Sequence, residues 1–303
     1  MIQAARSEGY TVHALMASFR RLCFVPVLLI AAAAVWVTVF GGLDDPAAQP
    51  PASGVAVTTT WLESCVRDLA ADRIQVIRLA PPGMCPGHFD LEPAQAARLA
   101  GCRLLLRFAF QAGLDRKLAS LSGQGPLRIV PVDTGQAGLC IPSTYLAACF
   151  TVAERLEAIE PGLAPVLKRR LRELKASLGR LDERLRAEVR QAGLAGVPVL
   201  SSAHQARFCE YLGLRPLGRF GRAESMSPAE LSALIELGRA HHVRLIIANQ
   251  QEGLRAARTL GDRLECPVVT FSNFPRMDPA QDGFSALVRD NLDRLLETAA
   301  ESR

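Results

Sequence analysis

From Val55 onward, short apolar runs alternate with longer segments in which apolar positions recur every three or four residues. VAVTTT (55–60) leads into WLESCVRDLAA (61–71), then IQVIRLA (74–80), LEPAQAARLAG (91–101) and CRLLLRFAF (102–110), with a further strand signal in LRIVPV (127–132). Period-two or continuous Val/Ile/Leu runs predict strands, and the three-to-four spacing predicts amphipathic helices between them. Short apolar strands separated by helices are the pattern of a mostly parallel sheet covered on both faces. The alternation restarts near residue 197 with VPVLSSA, FCEYLGL, SPAELSALIELGRAHH, VRLIIAN, EGLRAARTLGDRL and CPVVTFS, and it closes with a helix over 284–299. The predicted fold class is α/β, with two parallel-sheet lobes; no residue-level repeat relates them.

Between the lobes, Leu156, Ile159, Leu163, Leu167, Leu171, Leu174, Leu178, Leu181 and Leu185 hold a helical period. Pro161 and Pro165 predict an early break, after which a helix of roughly 25 residues spans about 40 Å. A strut of that length joins the lobes stiffly, and its charged residues read as a solvated face. The cleft between the carboxyl ends of the two sheets is where a ligand is expected, because open α/β sheets bind there.

The opening segment is of a different kind. Residues 22–43, LCFVPVLLIAAAAVWVTVFGGL, carry no charge, and such a run matches a hydrocarbon core of about 30 Å. Arg6, Arg20 and Arg21 precede it while Asp44 and Asp45 follow, so the positive-inside rule puts the N-terminus in the cytoplasm and the remainder outside. The run exceeds the usual signal-peptide core and reads as a membrane anchor in preference to a cleaved signal. The expected organisation is a cytoplasmic segment 1–21, the span 22–43, a Pro/Ala/Gly linker 44–54, a first lobe 55–150, a linking helix 151–195 and a second lobe 196–303.

Composition narrows the function. Among 303 residues, 49% are apolar and 21% charged, which excludes wholesale disorder. A net charge of +5 over the whole chain and few aromatic residues argue against nucleic acid as a partner. The sequence contains no G-x-S-x-G, Gly-rich phosphate loop or HExxH, so no enzyme class is indicated. Eight cysteines allow bridges, thiolate ligands or plain buried thiols.

Three stretches resemble the substrate-binding proteins of metal-ion ABC transporters, the zinc and manganese type, over roughly residues 55–275. APPGMCPGHFDLEPAQ stands where the family has D-P-H-x-x-E-P and aligns His88 with Glu92-Pro93. IPSTYLAACFTVAERL is similar to P-H-x-W-x-D-P, with Ser143 at the position of the second metal-binding His. VLSSAHQARFCEYLGL is similar to S-H-x-A-F-x-Y and keeps His204, Phe208 and Tyr211. The family's acidic ligand falls near Ser272, so two of four ligands are replaced.

The resemblance implies two lobes joined by one long rigid helix with a metal between them. It implies an extracytoplasmic, monomeric protein, tethered or released by cleavage, that delivers its cargo to an ABC permease. Cys85 and Cys140 each lie three residues before an aligned ligand position, so the candidate metal set is Cys85, His88, Cys140 and His204. Three readings stay open: a Cys₂His₂ site for Zn²⁺, with Cu⁺ or Mn²⁺ as other ions; a Cys85–Cys140 disulfide that leaves the histidines to another ligand, such as a chelated metal; and a decayed site with ordinary packing cysteines. A thiol or redox protein and an adhesive surface protein are the alternatives from other classes. Cys65, Cys102, Cys149, Cys209 and Cys266 read as buried thiols or structural bridges, Tyr145 as a residue of the cleft rim, and Arg107 as a cleft, solvated or capping charge.

Overall fold

The computed structural model describes residues 54–303 apart from 82–97, 100, 117, 119–126, 136, 278–282 and 302–303. The expected cytoplasmic segment, membrane span and all but the last residue of the linker lie outside the described residues, as do Cys85 and His88. Among the described residues, no helix is long and apolar enough to cross a membrane.

The first sheet contains β1 (Gly54–Val57), β2 (Val76–Arg78), β3 (Cys102–Phe108) and β4 (Arg128–Val132), all parallel, in the order β2-β1-β3-β4. The second contains β5 (Pro198–Ser202), β6 (Arg215–Phe220), β7 (Leu245–Asn249) and β8 (Val268–Phe271), again parallel, in the order β6-β5-β7-β8. Each sheet therefore reverses direction beside its first strand. The loops leaving β1 and β3, and those leaving β5 and β7, diverge to open a crevice at the carboxyl edge. Parallel pairing needs crossovers, which the helices supply. In the first lobe this is α1 (Thr60–Ala70), capped by Thr59, whose Oγ1 accepts a hydrogen bond from Leu62 N. In the second lobe they are α4 (Ala206–Leu212), α5 (Pro228–Ala240) and α6 (Arg255–Leu264). Before them come α2 (Pro142–Ile159) and α3 (Ala164–Gln191), and α7 (Gly283–Glu301) closes the chain.

The proline break falls where expected. A single turn of 3₁₀ helix at Pro161–Leu163 separates α2 from α3, and Pro165 sits in the first turn of α3, where its missing N–H costs nothing. The 28 residues of α3 span about 42 Å. One difference from expectation concerns how the lobes are joined. One apolar core runs through both, from Val55 and Leu104 of the first sheet through Trp61, Tyr145, Leu178 and Leu185 to Ile247 and Phe271 of the second, and it takes in Phe284 and Leu292 of α7. The long helix does not carry the connection alone.

Trp61 centres that core. Its ring meets Phe108 at 5.3 Å, Tyr145 at 5.0 Å and Phe284 at 6.4 Å, while Tyr145 and Phe284 stack at 4.0 Å. Tyr145 is fully buried and donates its hydroxyl to Asp68 Oδ2 at 2.7 Å; it is a core residue and not a residue of the cleft rim. Burial, with the Cys65, Cys149 and Asp68 side chains beside it, holds its phenol well above the ordinary range. Arg107 is likewise buried, paired with Asp115 through Nε at 2.6 Å and bonded through Nη1 to Phe108 O at 3.0 Å.

Helix α6 packs on β8 at a glycine. A Cβ at Gly261 would stand 2.8 Å from Val268 Cγ2 and 2.9 Å from Cys266 O. Gly261→Ala gains about 1 kcal/mol of helix propensity, but the overlap with a backbone carbonyl cannot be relieved by rotating a side chain. We expect net destabilisation of about 1–2 kcal/mol, read from denaturant unfolding of the full chain; equal or greater stability would show that the helix can lift from the sheet at no cost.

Candidate functional site

A cavity of about 480 Å³ opens at the carboxyl edges of both sheets. From the first lobe its described walls include Phe110, just past β3, with Thr134, Gly135 and 137–139 past β4; from the second they include His204, Asn249, Glu252 and Asn273, at or just after the ends of β5, β7 and β8. These are the crevices that the two strand orders predict.

The first-lobe wall is fixed from behind. Gln111 Oε1 accepts hydrogen bonds from Thr58 Oγ1 at 2.7 Å and Phe108 N at 2.9 Å, which ties together the loops that leave β1 and β3. Trp61 Nε1 donates to Leu139 O at 2.9 Å. Gly138 faces the second lobe, where a Cβ would lie 3.4 Å from Arg207 Cβ and from Phe208 N.

On the second-lobe side an imidazole and a carboxylate meet. His204 Nε2 lies 3.4 Å from Glu252 Oε1. The His204 side chain is 66% exposed and that of Glu252 only 12%, so the carboxylate is held within the wall and the imidazole reaches into the opening. Ser202 locks the pair: its hydroxyl donates to Glu252 Oε2 and its Oγ accepts from His204 N at 3.3 Å. Ser202 ends β5 and Asn249 ends β7, adjacent strands, which is why residues 48 positions apart in sequence become neighbours. Glu252 was not singled out in the sequence; it lies in ANQQEG with no periodicity or motif to mark it, and only the strand crossover brings it to His204.

Around this pair the wall is built of amides. Gln205, fully buried, donates Nε2 to Asn273 Oδ1 at 3.1 Å and to Asn249 Oδ1 at 3.4 Å. Gln251 Oε1 accepts from Asn273 N, and Gln251 Nε2 donates to Ser272 Oγ, both at 3.0 Å. Ser272, where the resemblance puts an acidic ligand, is thus committed to local bonds, including donation from its backbone N to Asn291 Oδ1 at 2.8 Å.

The four sequence-derived metal residues have different placements. His204 lines the cavity. Cys140 is fully buried and is not among the lining residues; its thiol donates to Ser272 O at 3.1 Å, and Asn291 Nδ2 approaches its Sγ at 3.5 Å. Burial pushes this thiol far above its ordinary range, so it is a neutral donor. Cys85 and His88 lie outside the described residues. The six described cysteines, Cys65, Cys102, Cys140, Cys149, Cys209 and Cys266, are free thiols. Among the described residues, no three His, Cys, Asp or Glu side chains converge on one point.

Two α/β lobes with reversed strand orders facing each other, one long connecting helix and a cavity at the switch points define a two-lobed solute-binding protein of the periplasmic type. Residues 141–298 match the family described as ZnuA, zinc-uptake complex component A, periplasmic, and the chain belongs to that family. No curated protein matches it in sequence. Among solved structures it is similar to a Mn-bound periplasmic metal binding protein from Candidatus Liberibacter asiaticus, with 14% identity and a TM-score of 0.69 over 82% of this chain and 99% of that one. A crystal structure of ZnuA aligns with 16% identity and a TM-score of 0.68 over the same shares. A Cd-bound form of the Liberibacter protein aligns with 14% identity and a TM-score of 0.66, again over 82% and 99%. These likenesses establish the fold.

The burial of Cys140 has a measurable consequence. A thiol must be both reached and ionised to be alkylated, so in the native full-length chain Cys140 should label about tenfold or more slowly than half-buried Cys266, with the difference abolished by denaturant. Mass spectrometry after timed alkylation reads both sites; equal native rates would place Cys140 at the surface.

Proposed function

We propose that the protein captures an extracytoplasmic transition-metal ion, zinc foremost and manganese or copper(I) as alternatives, in the cavity between its lobes and delivers it to an ABC permease. The observation that carries this reading is the His204–Glu252 pair, 3.4 Å apart at the carboxyl ends of adjacent strands, in a chain that belongs to a metal-uptake family. An imidazole and a carboxylate are a suitable pair of donors for a borderline divalent ion when a neighbouring group fixes their orientation, as the Ser202 hydroxyl does through its bonds to Glu252 Oε2 and His204 N.

Two donors are half of a tetrahedral set. For a bare ion, His88 and Cys85, which follow β2 in the sequence, are proposed to complete it, while Cys140 anchors the wall behind the cavity instead of ligating. No catalytic step is proposed. The uncharged run at 22–43 is proposed to tether the protein beside its permease, where tethering raises the effective concentration of one for the other.

Metal binding should respond to each donor. In isothermal titration of the full-length chain with zinc, His204→Ala and Glu252→Gln should each weaken binding by about tenfold or more, a change of about 1.4 kcal/mol. Zinc at 100 times its Kd should also stabilise the native chain by about 2.7 kcal/mol, lost in the same variants. Unchanged zinc affinity in both variants would overturn the assignment.

A further inference from the structure

The cavity is larger than an ion needs. About 480 Å³ falls within the range of roughly 300–1,000 Å³ typical of small-molecule pockets, whereas a cation held by side chains needs only its first coordination sphere. The lining also offers features that a bare ion cannot use. Phe110 stands at the wall with 62% of its surface exposed, stacked at 4.9 Å on buried Phe108, and Phe274 contributes a second ring.

Charge points the same way. The described lining carries two guanidinium groups, Arg207 and Arg222, against the single carboxylate of Glu252. Arg222 donates Nη2 to Gln251 O at 3.4 Å and has no carboxylate partner among the described residues. Arg207 pairs with Glu210 at 2.9 Å, but Glu210 also serves Arg219 at 3.2 Å, so that cluster keeps an excess positive charge. Among the described lining residues, Thr134, Asn249, Gln251 and Asn273 add polarity without charge. A divalent ion placed here on its own would add two positive charges to a lining whose described side chains are already net positive. A metal that arrives with carboxylates of its own removes that cost and gives the guanidinium groups planar bidentate partners.

We propose that the cargo is an anionic metal chelate, a divalent ion wrapped in a small polycarboxylate, with His204 and Glu252 facing the metal and Arg207 and Arg222 binding the chelator's carboxylates. This inference rests on the metal-capture reading and specifies the form in which the metal is taken. Phe110 and Phe274 supply apolar contact to the chelator's carbon skeleton, and the amide wall orients it through hydrogen bonds without adding charge.

The test compares zinc alone, citrate alone and an equimolar zinc–citrate mixture. Equilibrium dialysis of the full-length chain in detergent, with both components radiolabelled, counts zinc and citrate retained together. Citrate competes for zinc, so a site for the bare ion must bind zinc more weakly when citrate is present, and a site for the complex more tightly.

The expected result is co-retention of zinc and citrate, with apparent zinc affinity raised about tenfold or more by citrate. In Arg207→Gln/Arg222→Gln that ratio should fall toward one. Both side chains are solvent-accessible and their replacement is compatible with folding, which thermal unfolding checks; Arg222→Gln alone serves as the second variant and should lose part of the gain. Zinc retained without citrate, and stripped by it, would overturn the chelate inference while leaving metal capture intact. Retention of neither component in any mixture would overturn both. Citrate retained equally well without zinc would also overturn both, since the cavity would then be an anion site.

Discussion

The geometry of the cavity depends on one short segment, Gly138–Ile141, clamped between the lobes. Trp61 of the first lobe holds it by the Leu139 carbonyl, and Ser272 and Asn291 of the second hold it by the Cys140 thiol. Each bond is modest, about 0.5–1.5 kcal/mol net for an ordinary hydrogen bond, but all lie inside one apolar core that neither sheet completes alone. Separating the lobes would expose Trp61, Tyr145 and Phe284 together and strand their polar partners. The two carboxyl edges are therefore presented to each other in a fixed arrangement. A ligand that meets a preformed cleft loses less of its binding energy to ordering the protein.

That arrangement explains which features the sequence announces and which it conceals. Strands buried on both faces must be largely apolar, so the Leu104–Leu106 run of CRLLLRF and the LIIAN strand stand out, and the helices between the strands show their period. Pro161 and Pro165 mark the helix break because proline acts through its own backbone. Strand order cannot be read this way, since nothing in β3 states that it pairs with β1 on one side and β4 on the other. The shared core is concealed for the same reason: Tyr145 is compatible with a rim or an interior until α7 brings Phe284 against it at 4.0 Å.

The site was legible only where a local motif carried it. His204 follows a strand end directly, and its place at the cavity follows from that. Cys140 shows the limit of arguing from spacing. It lies three residues before Ser143, but helix α2 starts between them at Pro142, so the spacing says nothing about direction; Ser143 is exposed while Cys140 turns inward to Ser272 O. Glu252 is the converse case, a residue with no local mark that becomes chemically important through the β5–β7 pairing. Arg107 illustrates a third outcome, a buried guanidinium whose charge is satisfied within the first lobe by the half-exposed Asp115 carboxylate.

The neutrality of the amides and hydroxyl in the wall then has a physical consequence for what the cleft can hold. A cation bound by protein carboxylates is neutralised by its site, and the site alone sets its affinity. Where serine and amides stand instead, the site supplies direction but little countercharge, because Ser272, Asn249 and Asn273 are dipoles already engaged with one another and with Gln205 and Gln251. Guanidinium groups at the opening make the deficit larger. Affinity for a divalent ion must then come either from further charges of the first lobe or from charges carried in by the ligand. The cavity volume and the exposed Phe110 ring favour the second source, since additional ligating side chains would fill the space around an ion, whereas a chelator needs that space and the apolar surface at its edge.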